Sequence, residues 1–310
     1  MKYRLRHVIE FGLLRAVAAI LLFLPYRLAL VFAWLVALLL YGLGRSRVRE
    51  AERRIREVFG RTLTPGAVRR AAWISLRNIC FNAAEVIRTP GMKQGWIDRH
   101  VDRGNVRDVL KRHLAPGQGC IFVVPHMGNW DLAGTGLALD GVPVFAIAAR
   151  QRNPLSDGWL NELRAGQGMG VIMRDDHVIR RVLRNLKQGQ VLAFLTDLRS
   201  KTPGIRAHFL GKEANLVAGL GLFARQAGVP VLPAYVRRVG WARHVWHVEE
   251  PIYPDPTLEK AQDWQRITQR VMDIFDRAIR NHPEQYFWYN RRWVLDPLEE
   301  EQQGKGAVTG

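Results

Sequence analysis

Between Gly119 and Val236 short apolar runs alternate with longer amphipathic ones, and that alternation leaves few folds open to the chain. Runs of strand type fall at 120–124, 142–148, 171–173, 191–195 and 229–236. Runs of helical type lie between them, at 132–139, 155–165, 177–187 and 216–226. Asp140-Gly141, Gly166, Gly189 and Gly228 stand where those helices should stop, since glycine takes the left-handed turn that closes a helix. Strand and helix taken in turn predict an α/β layered domain with a mostly parallel sheet. A hairpin around Arg238-Val-Gly240 and a long helix near 258–281 complete it.

The other half of the architecture is set at the N-terminus. Ala16 to Leu24 is apolar, Pro25 and Arg27 interrupt, and Leu28 to Leu43 is again free of charge. Neither half comfortably reaches the ~18–20 uninterrupted apolar residues of a clean bilayer span. Arg15, Arg27 and Arg45 flank the halves, as in helices that lie at a membrane interface or dip into it. Residues 1–44 are therefore expected to be a membrane-associating segment. A tilted span and a buried helical hairpin are the alternatives. An amphipathic helix follows at 45–59, where Val48, Ala51, Ile55, Val58 and Phe59 recur at helical spacing among arginines. Those arginines suit a solvated face or lipid phosphates. Thr64-Pro65 opens the next helix and Thr89-Pro90-Gly91 ends it. With no repeat and no long linker, 45–298 reads as one catalytic domain and 299–310 as a polar, disordered tail.

At 310 residues and 48% hydrophobic content the chain can bury one large core or two modest ones. Cys80 and Cys120 fit no zinc or redox spacing and read as buried thiols. No secretory cleavage pattern or disulfide framework is visible, which predicts a domain facing the cytoplasm. The net charge of +18 calls for an anionic partner, nucleic acid or anionic lipid. The apolar N-terminus selects lipid. The aromatic stretch Pro283-Glu-Gln-Tyr-Phe-Trp-Tyr-Asn-Arg-Arg-Trp293 lacks the repeated platform of a nucleic-acid binder.

Chemistry concentrates where the first strand run empties into Pro125-His-Met-Gly-Asn-Trp-Asp131. A histidine there can take a proton from a hydroxyl, and a carboxylate can hold its tautomer and stabilise its cation. That pair is what acyl transfer from an activated thioester to an alcohol requires. Spacing alone is weak, because a chain of this composition produces a His-x4-acid about 0.8 times by chance. His208 with Glu213 and His244 with Glu249 are rivals. What distinguishes His126 is its seat at a strand exit. Arg150, Arg174 and Asp197 also follow strand runs directly, so parallel strands would gather all four in one cleft. The two arginines suit anionic groups such as a phosphopantetheine arm or a sugar phosphate, or else strand-end salt bridges. Asp197 reads as a helix cap or loop pin beside its place in the cleft. Gly128 and Asn129 sit where backbone N–H groups, with the Asn129 amide, can face an oxyanion. Trp130 reads as core packing or as a wall for an acyl chain. No Gly-x-Ser-x-Gly elbow, phosphate-binding loop or zinc spacing is present, and no bound metal or cofactor is expected.

Taken together, these pieces resemble the late lipid A acyltransferases of bacterial membranes and their relatives that acylate phosphatidylinositol mannosides. The resemblance rests on Phe11-Gly-Leu-Leu-Arg15 and Leu24-Pro25, on His126-Met-Gly-Asn-Trp-Asp131, on Arg150 before Asn153-Pro154, and on Arg174. It continues through Thr196-Asp-Leu-Arg199, His208-Phe-Leu-Gly211, the run from Gly228 to Arg238, and Pro283-Glu-Gln-Tyr-Phe-Trp288 with Arg291-Arg292. The resemblance implies a membrane-associated α/β enzyme of the glycerolipid-acyltransferase type. His126 would be the base and Asp131 its partner, with acyl-carrier protein or coenzyme A carrying the acyl thioester. The acceptor would be a lipid-linked hydroxyl at the cytoplasmic face of the inner (plasma) membrane, most simply on a lipid A precursor. Three features leave the acceptor open between branches: the Gly128-Asn-Trp130 insert, Arg206 where the mannoside branch tends to carry glutamate, and Asn290 where the lipid A branch commonly has histidine. The non-enzyme reading is a basic membrane-bound adaptor, which has no need of a His–Asp pair and arginines at several strand exits.

Overall fold

The computed structural model describes residues 3–113, 117–148 and 150–296, so the tail read at 299–310 lies outside the described residues. Leu24-Pro25 splits the apolar N-terminus into helix α1 (Leu5–Phe23) and helix α2 (Tyr26–Leu43). Proline supplies no N–H to continue a helix, yet its fixed φ suits the start of the next one. Tyr26 and Arg27 join α2, which at 18 residues is the one helix among the described residues long and apolar enough to cross a membrane. The small residues Ala29, Ala33 and Ala37, with Leu30, are buried, as are Ala18 and Leu21 of α1. Leu28, Val31, Leu35, Leu38, Leu39 and Leu43 are exposed on α2.

Helix α3 (Arg45–Phe59) leads to α4 (Pro65–Arg88), and the boundaries of both match the sequence signals. The Thr64 hydroxyl accepts from Ala67 N at 3.2 Å, a cap worth about 1 kcal/mol, with proline at the first helical position. Residues of α1, α2 and α4 share one apolar cluster with Trp159 and Leu163. The N-terminal segment therefore rests on the body of the protein.

The rest of the chain runs α5 (Gln94–His100), β1 (Val101–Asp102), α6 (Val106–His113), β2 (Cys120–Val124), α7 (Trp130–Leu139), β3 (Val144–Ala148), α8 (Pro154–Ala165) and β4 (Gly170–Met173). It continues through α9 (Val178–Lys187), β5 (Val191–Leu195), β6 (Ile205–Phe209), β7 (Lys212–Leu216), α10 (Gly219–Ala227), β8 (Val231–Val239), β9 (Arg243–Val248) and α11 (Lys260–Asn281). Seven strands form one sheet in the order β1-β9-β8-β2-β5-β3-β4. Only β8 and β9 pair antiparallel within it. The mixed α/β architecture with a mostly parallel sheet expected from the alternation is thus what the chain adopts. Cores form on both faces. Ile121 and Val123 of β2 face Val182, Leu220 and Phe275, while Cys120 and Phe122 face Ile97, Leu132 and Leu137.

One element differs from the expectation. The helical run expected to begin at 216 starts at Gly219, because Leu216 closes strand β7. Strands β6 and β7 form a separate hairpin about Leu210-Gly211, both at positive φ, as in a tight two-residue hairpin turn. The alternating burial of Ile205, Ala207 and Phe209 was the available signal.

An ion pair is buried between α4 and the β8–β9 ribbon. Arg238 Nη1 and Nη2 donate to the two Glu85 oxygens at 2.8 and 2.5 Å, and both side chains are fully enclosed. His244 Nε2 lies 3.1 Å from Glu85 Oε1. Desolvation alone would raise the Glu85 carboxyl, but Arg238 and His244 reverse this and hold it well below its ordinary 4.5. The sign follows: a depressed folded-state pKa gives stability that is complete above the unfolded value and is lost as pH falls through the folded one. Removing one partner of such a pair strands a buried charge and costs about 3–5 kcal/mol. Glu85→Leu is therefore expected to lower stability by that amount at neutral pH in urea unfolding. Glu85→Leu with Arg238→Met should recover most of it, whereas equal stability of Glu85→Leu and the native chain would show the pair to be idle.

Candidate active site

Strands β2 and β5 pair in parallel from Cys120↔Val191 to Val124↔Leu195, a constant offset of 71 residues (191 − 120). His126 and Asp197 differ by the same 71, so the two chains leave the sheet side by side and these residues face each other. His126 Nδ1 lies 2.7 Å from Asp197 Oδ1, and His126 N donates to Asp197 Oδ2 at 2.8 Å. The Asp197 side chain is fully buried, while that of His126 retains 13% exposure. A carboxylate only accepts, so Nδ1 carries the proton and Nε2 is left as the basic nitrogen. Nε2 makes no hydrogen bond among the described residues.

Here the structure departs from the sequence reading. The carboxylate on the imidazole is Asp197, not Asp131. Asp131, in the first turn of α7, accepts at Oδ1 from Arg164 Nε at 3.1 Å and Nη2 at 2.9 Å. Arg164 sits in the last turn of α8, and nothing in its sequence setting marks it. Asp131 is well placed there, since a helix N-terminus favours negative charge. Its Oδ2 has no hydrogen bond among the described residues. The site thus contains two carboxylates, one bound to the ring and one clamped by an arginine.

The turn between His126 and α7 is tightly determined. Gly128 has φ +60°, and a Cβ there would lie 2.2 Å from Val236 O, so only glycine fits. Gly128 N donates to Gln285 O at 3.0 Å, Phe287 N donates to His126 O at 2.8 Å, and Met127 bridges to Tyr286. The aromatic stretch therefore lines the turn that follows His126. Trp130 meets the His126 ring edge-on at 4.9 Å and stacks with Phe287 at 6.2 Å. Tyr286 is held well above the usual phenol range by burial first, and then by the Asp197 carboxylate.

Asn129 is 1% exposed and turned inward. Its Oδ1 caps α7 by accepting from Leu132 N at 3.0 Å, and its Nδ2 donates to Glu85 Oε2 at 2.6 Å. The Asn129 amide and the Gly128 N–H, expected to face an oxyanion, are thus both taken up inside the protein, and the free N–H groups nearest His126 lie in the first turn of α7. There the N–H groups of Trp130 and Asp131 have no carbonyl of their own helix to bond. Arg150 and Arg174 leave β3 and β4 at the same edge of the sheet, both exposed and without an ion pair among the described residues. Arg292, missed as a single residue, donates to Arg199 O. Burial lowers its proton affinity, and the charges of Arg174 and Arg199 lower it further.

The rival pairs resolve differently. His208 and Glu213 face each other across the β6–β7 hairpin. His244 is locked onto Glu85, and Glu249 pairs with His247 instead. Cys120 opens β2 at the strand end opposite His126, and burial pushes its thiol up. Burial likewise pushes the Cys80 thiol up to about 11. Among the described residues no three His, Cys, Asp or Glu side chains gather as metal ligands.

A histidine held by a buried carboxylate where a parallel sheet ends has the geometry to take a proton from a hydroxyl. The chain belongs to the bacterial lipid A biosynthesis acyltransferase family, whose model matches residues 1–294. It is an acyltransferase. It is similar to a phosphatidylinositol mannoside acyltransferase of Mycolicibacterium smegmatis, 23% identical over 222 residues, covering 70% of each chain. It is also similar to the lipid A biosynthesis lauroyltransferase of Escherichia coli, 25% identical over 219 residues and 67% of each chain. A lipid A biosynthesis acyltransferase of Haemophilus influenzae is 24% identical over 180 residues, 58% of this chain and 55% of that protein.

Two carboxylates with separate attachments should behave separately. Asp197→Asn is expected to cut kcat by about 10²–10⁴, because an amide no longer selects the Nδ1–H tautomer or supports the cation. Asp131→Asn and Arg164→Ala should each lower activity to a similar degree and be non-additive when combined, since both open one contact. Additive losses in that double variant would show that Asp131 and Arg164 act through separate contacts.

Proposed function

We propose that the protein moves a fatty acyl group from an acyl-carrier-protein or coenzyme A thioester to a hydroxyl of a membrane glycolipid. The observation that carries this is the His126–Asp197 pair, which leaves an imidazole Nε2 basic and partly open at the sheet edge. His126 Nε2 takes the acceptor hydroxyl proton as the oxygen attacks the thioester carbonyl. The first-turn N–H groups of α7 meet the oxyanion. The C–S bond then breaks, the thiolate leaves, and the proton on Nε2 passes to it. No acyl-enzyme forms, in keeping with Cys120 standing buried at the far end of β2. Asp131, clamped by Arg164, sets the pose of α7 against α8, and Arg150 and Arg174 hold anionic groups of donor or acceptor.

The acceptor in this reading is a lipid A precursor, in line with the family. A second reading, a phosphatidylinositol mannoside or related phospholipid, is favoured by the similarity to the mannoside acyltransferase over 70% of both chains. The exposed leucine face of α2 and the basic surface suit binding at an anionic membrane, with the catalytic domain at the cytoplasmic side of the inner membrane. The glycerolipid-acyltransferase type of fold is the finer architecture that goes with this reading.

Purified protein in detergent, given an acyl thioester with either acceptor, tests the reading by mass spectrometry of the lipid product. Acylated acceptor is expected, and His126→Ala should form it about 10²–10⁴ times more slowly. An unchanged rate for folded His126→Ala would sink the mechanism. Arg150→Ala and Arg174→Ala are expected to raise KM about tenfold to a hundredfold with kcat nearly kept, as loss of uniform binding to a distant anion does. Lower melting temperature with unchanged KM would mark these arginines as structural.

A further inference from the structure

Glu85 lies on α4, outside every strand exit, yet its carboxylate reaches the catalytic turn. Oε2 accepts from Asn129 Nδ2 at 2.6 Å, and Asn129 is the residue that caps α7. One turn earlier on α4, Asn82 Nδ2 donates to Gly128 O at 2.5 Å. Arg238 joins the two, donating to both Glu85 oxygens and, at 2.8 Å, to Asn82 Oδ1. The neighbouring backbone is fixed from the same strand. Gln285 Oε1 accepts from Arg238 N at 2.9 Å, while Gln285 O accepts from Gly128 N. Tyr26, at the start of α2, donates to Glu85 Oε1 at 2.7 Å.

We infer, on the proposed role of His126, that Glu85 is a positioning residue for the acyl transfer, setting the Gly128–Asn129 turn through Asn129 and through the Arg238–Asn82 bridge. The turn has His126 at one end and the first N–H groups of α7 at the other. A shift in it misplaces base and oxyanion donors together. A buried carboxylate with several donors suits this task, because breaking any one bond leaves a charged or polar group unpaired, so the arrangement has a single low-energy form. Glu85, Arg238, Asn82 and Asn129 are all buried, so their effect belongs in kcat and not in substrate affinity.

Asn129→Ser tests this with little threat to folding, since serine caps a helix as well as asparagine but cannot reach Glu85. Its kcat is expected to fall about tenfold to a hundredfold, with KM within about twofold and the melting temperature nearly kept. In a His126→Ala background it should slow turnover by clearly less than in the native chain, because the base it positions is gone and only its effect on the oxyanion donors is left. Native kcat in Asn129→Ser, with His126→Ala inactive, overturns the role of Glu85 and leaves the proposed function standing. A raised KM at unchanged kcat overturns it too, by making Asn129 a direct substrate contact. Native turnover in His126→Ala would instead overturn the proposed function, and this inference with it.

Discussion

The parallel register of β2 against β5 is the constraint on which the site depends. A carboxylate can bind both the backbone N–H and the ring of His126 only if the two chains leave the sheet level with one another. The hydrogen-bonded pairs from Cys120↔Val191 to Val124↔Leu195 hold that level, and two further residues carry it to His126 and Asp197. Because β2 reaches β5 only by way of β3 and β4, the pairing is made by helices α7, α8 and α9 packing against the sheet. Ile121 and Val123 on one face, and Cys120 and Phe122 on the other, must all be satisfied at once. A slip of one residue would turn each of them to the wrong core. The apolar core therefore specifies the chemistry indirectly, by fixing which acid meets the imidazole.

That pairing also marks the limit of what could be read from the chain. The strand exits, the helix boundaries at Pro65 and Arg88, and the break at Leu24-Pro25 are local signals, and each is where the sequence placed it. His126 at a strand end was equally legible. Its partner was not. Asp131 is five residues away and Asp197 seventy-one, so proximity in sequence favours the wrong acid, and no local pattern reports the strand order β2-β5-β3-β4. The same blindness hid Glu85 and Arg164, which reach the turn and α7 from other helices. The β6–β7 hairpin went unread for another reason: its strands are short and polar on one face, and Leu216 runs on into the apolar start of α10.

The N-terminal helices solve a different problem. A helix apolar on every side has to be covered, in a core or by lipid. Here the faces are divided largely by size rather than polarity: alanines at 29, 33 and 37, with Leu30, lie against the body, and the other leucines of α2 point away. Small residues let α2 approach α4 closely, while the bulky ones are left outside. The exposed set extends along α1 as well, through Leu5, Ile9, Leu13 and Phe23. A patch of that extent is unsuited to water, which argues for a lipid surface over a buried soluble hairpin.

Charge and apolar surface then act in sequence. On the proposed membrane reading, a net charge of +18 would draw the chain to an anionic bilayer over about a Debye length, roughly 8 Å at physiological salt, before any leucine touches lipid. Close to the site the same sign of charge becomes a cost. Arg292 has its proton affinity lowered by burial and by the charges of Arg174 and Arg199, so these cations are crowded more than they would be in water. An anion entering among them relieves that repulsion as well as gaining hydrogen bonds. On the proposed reading, that relief would favour a phosphate-bearing substrate over a neutral one. The carboxylates near the imidazole escape this pull because each already has its donors: Asp197 has the His126 ring and backbone, and Asp131 has Arg164. Separate pairing of the acids leaves Arg150 and Arg174 without an ion pair among the described residues, and on the proposed reading it is this partition, more than the count of basic residues, that would let the edge of the sheet take an anionic group.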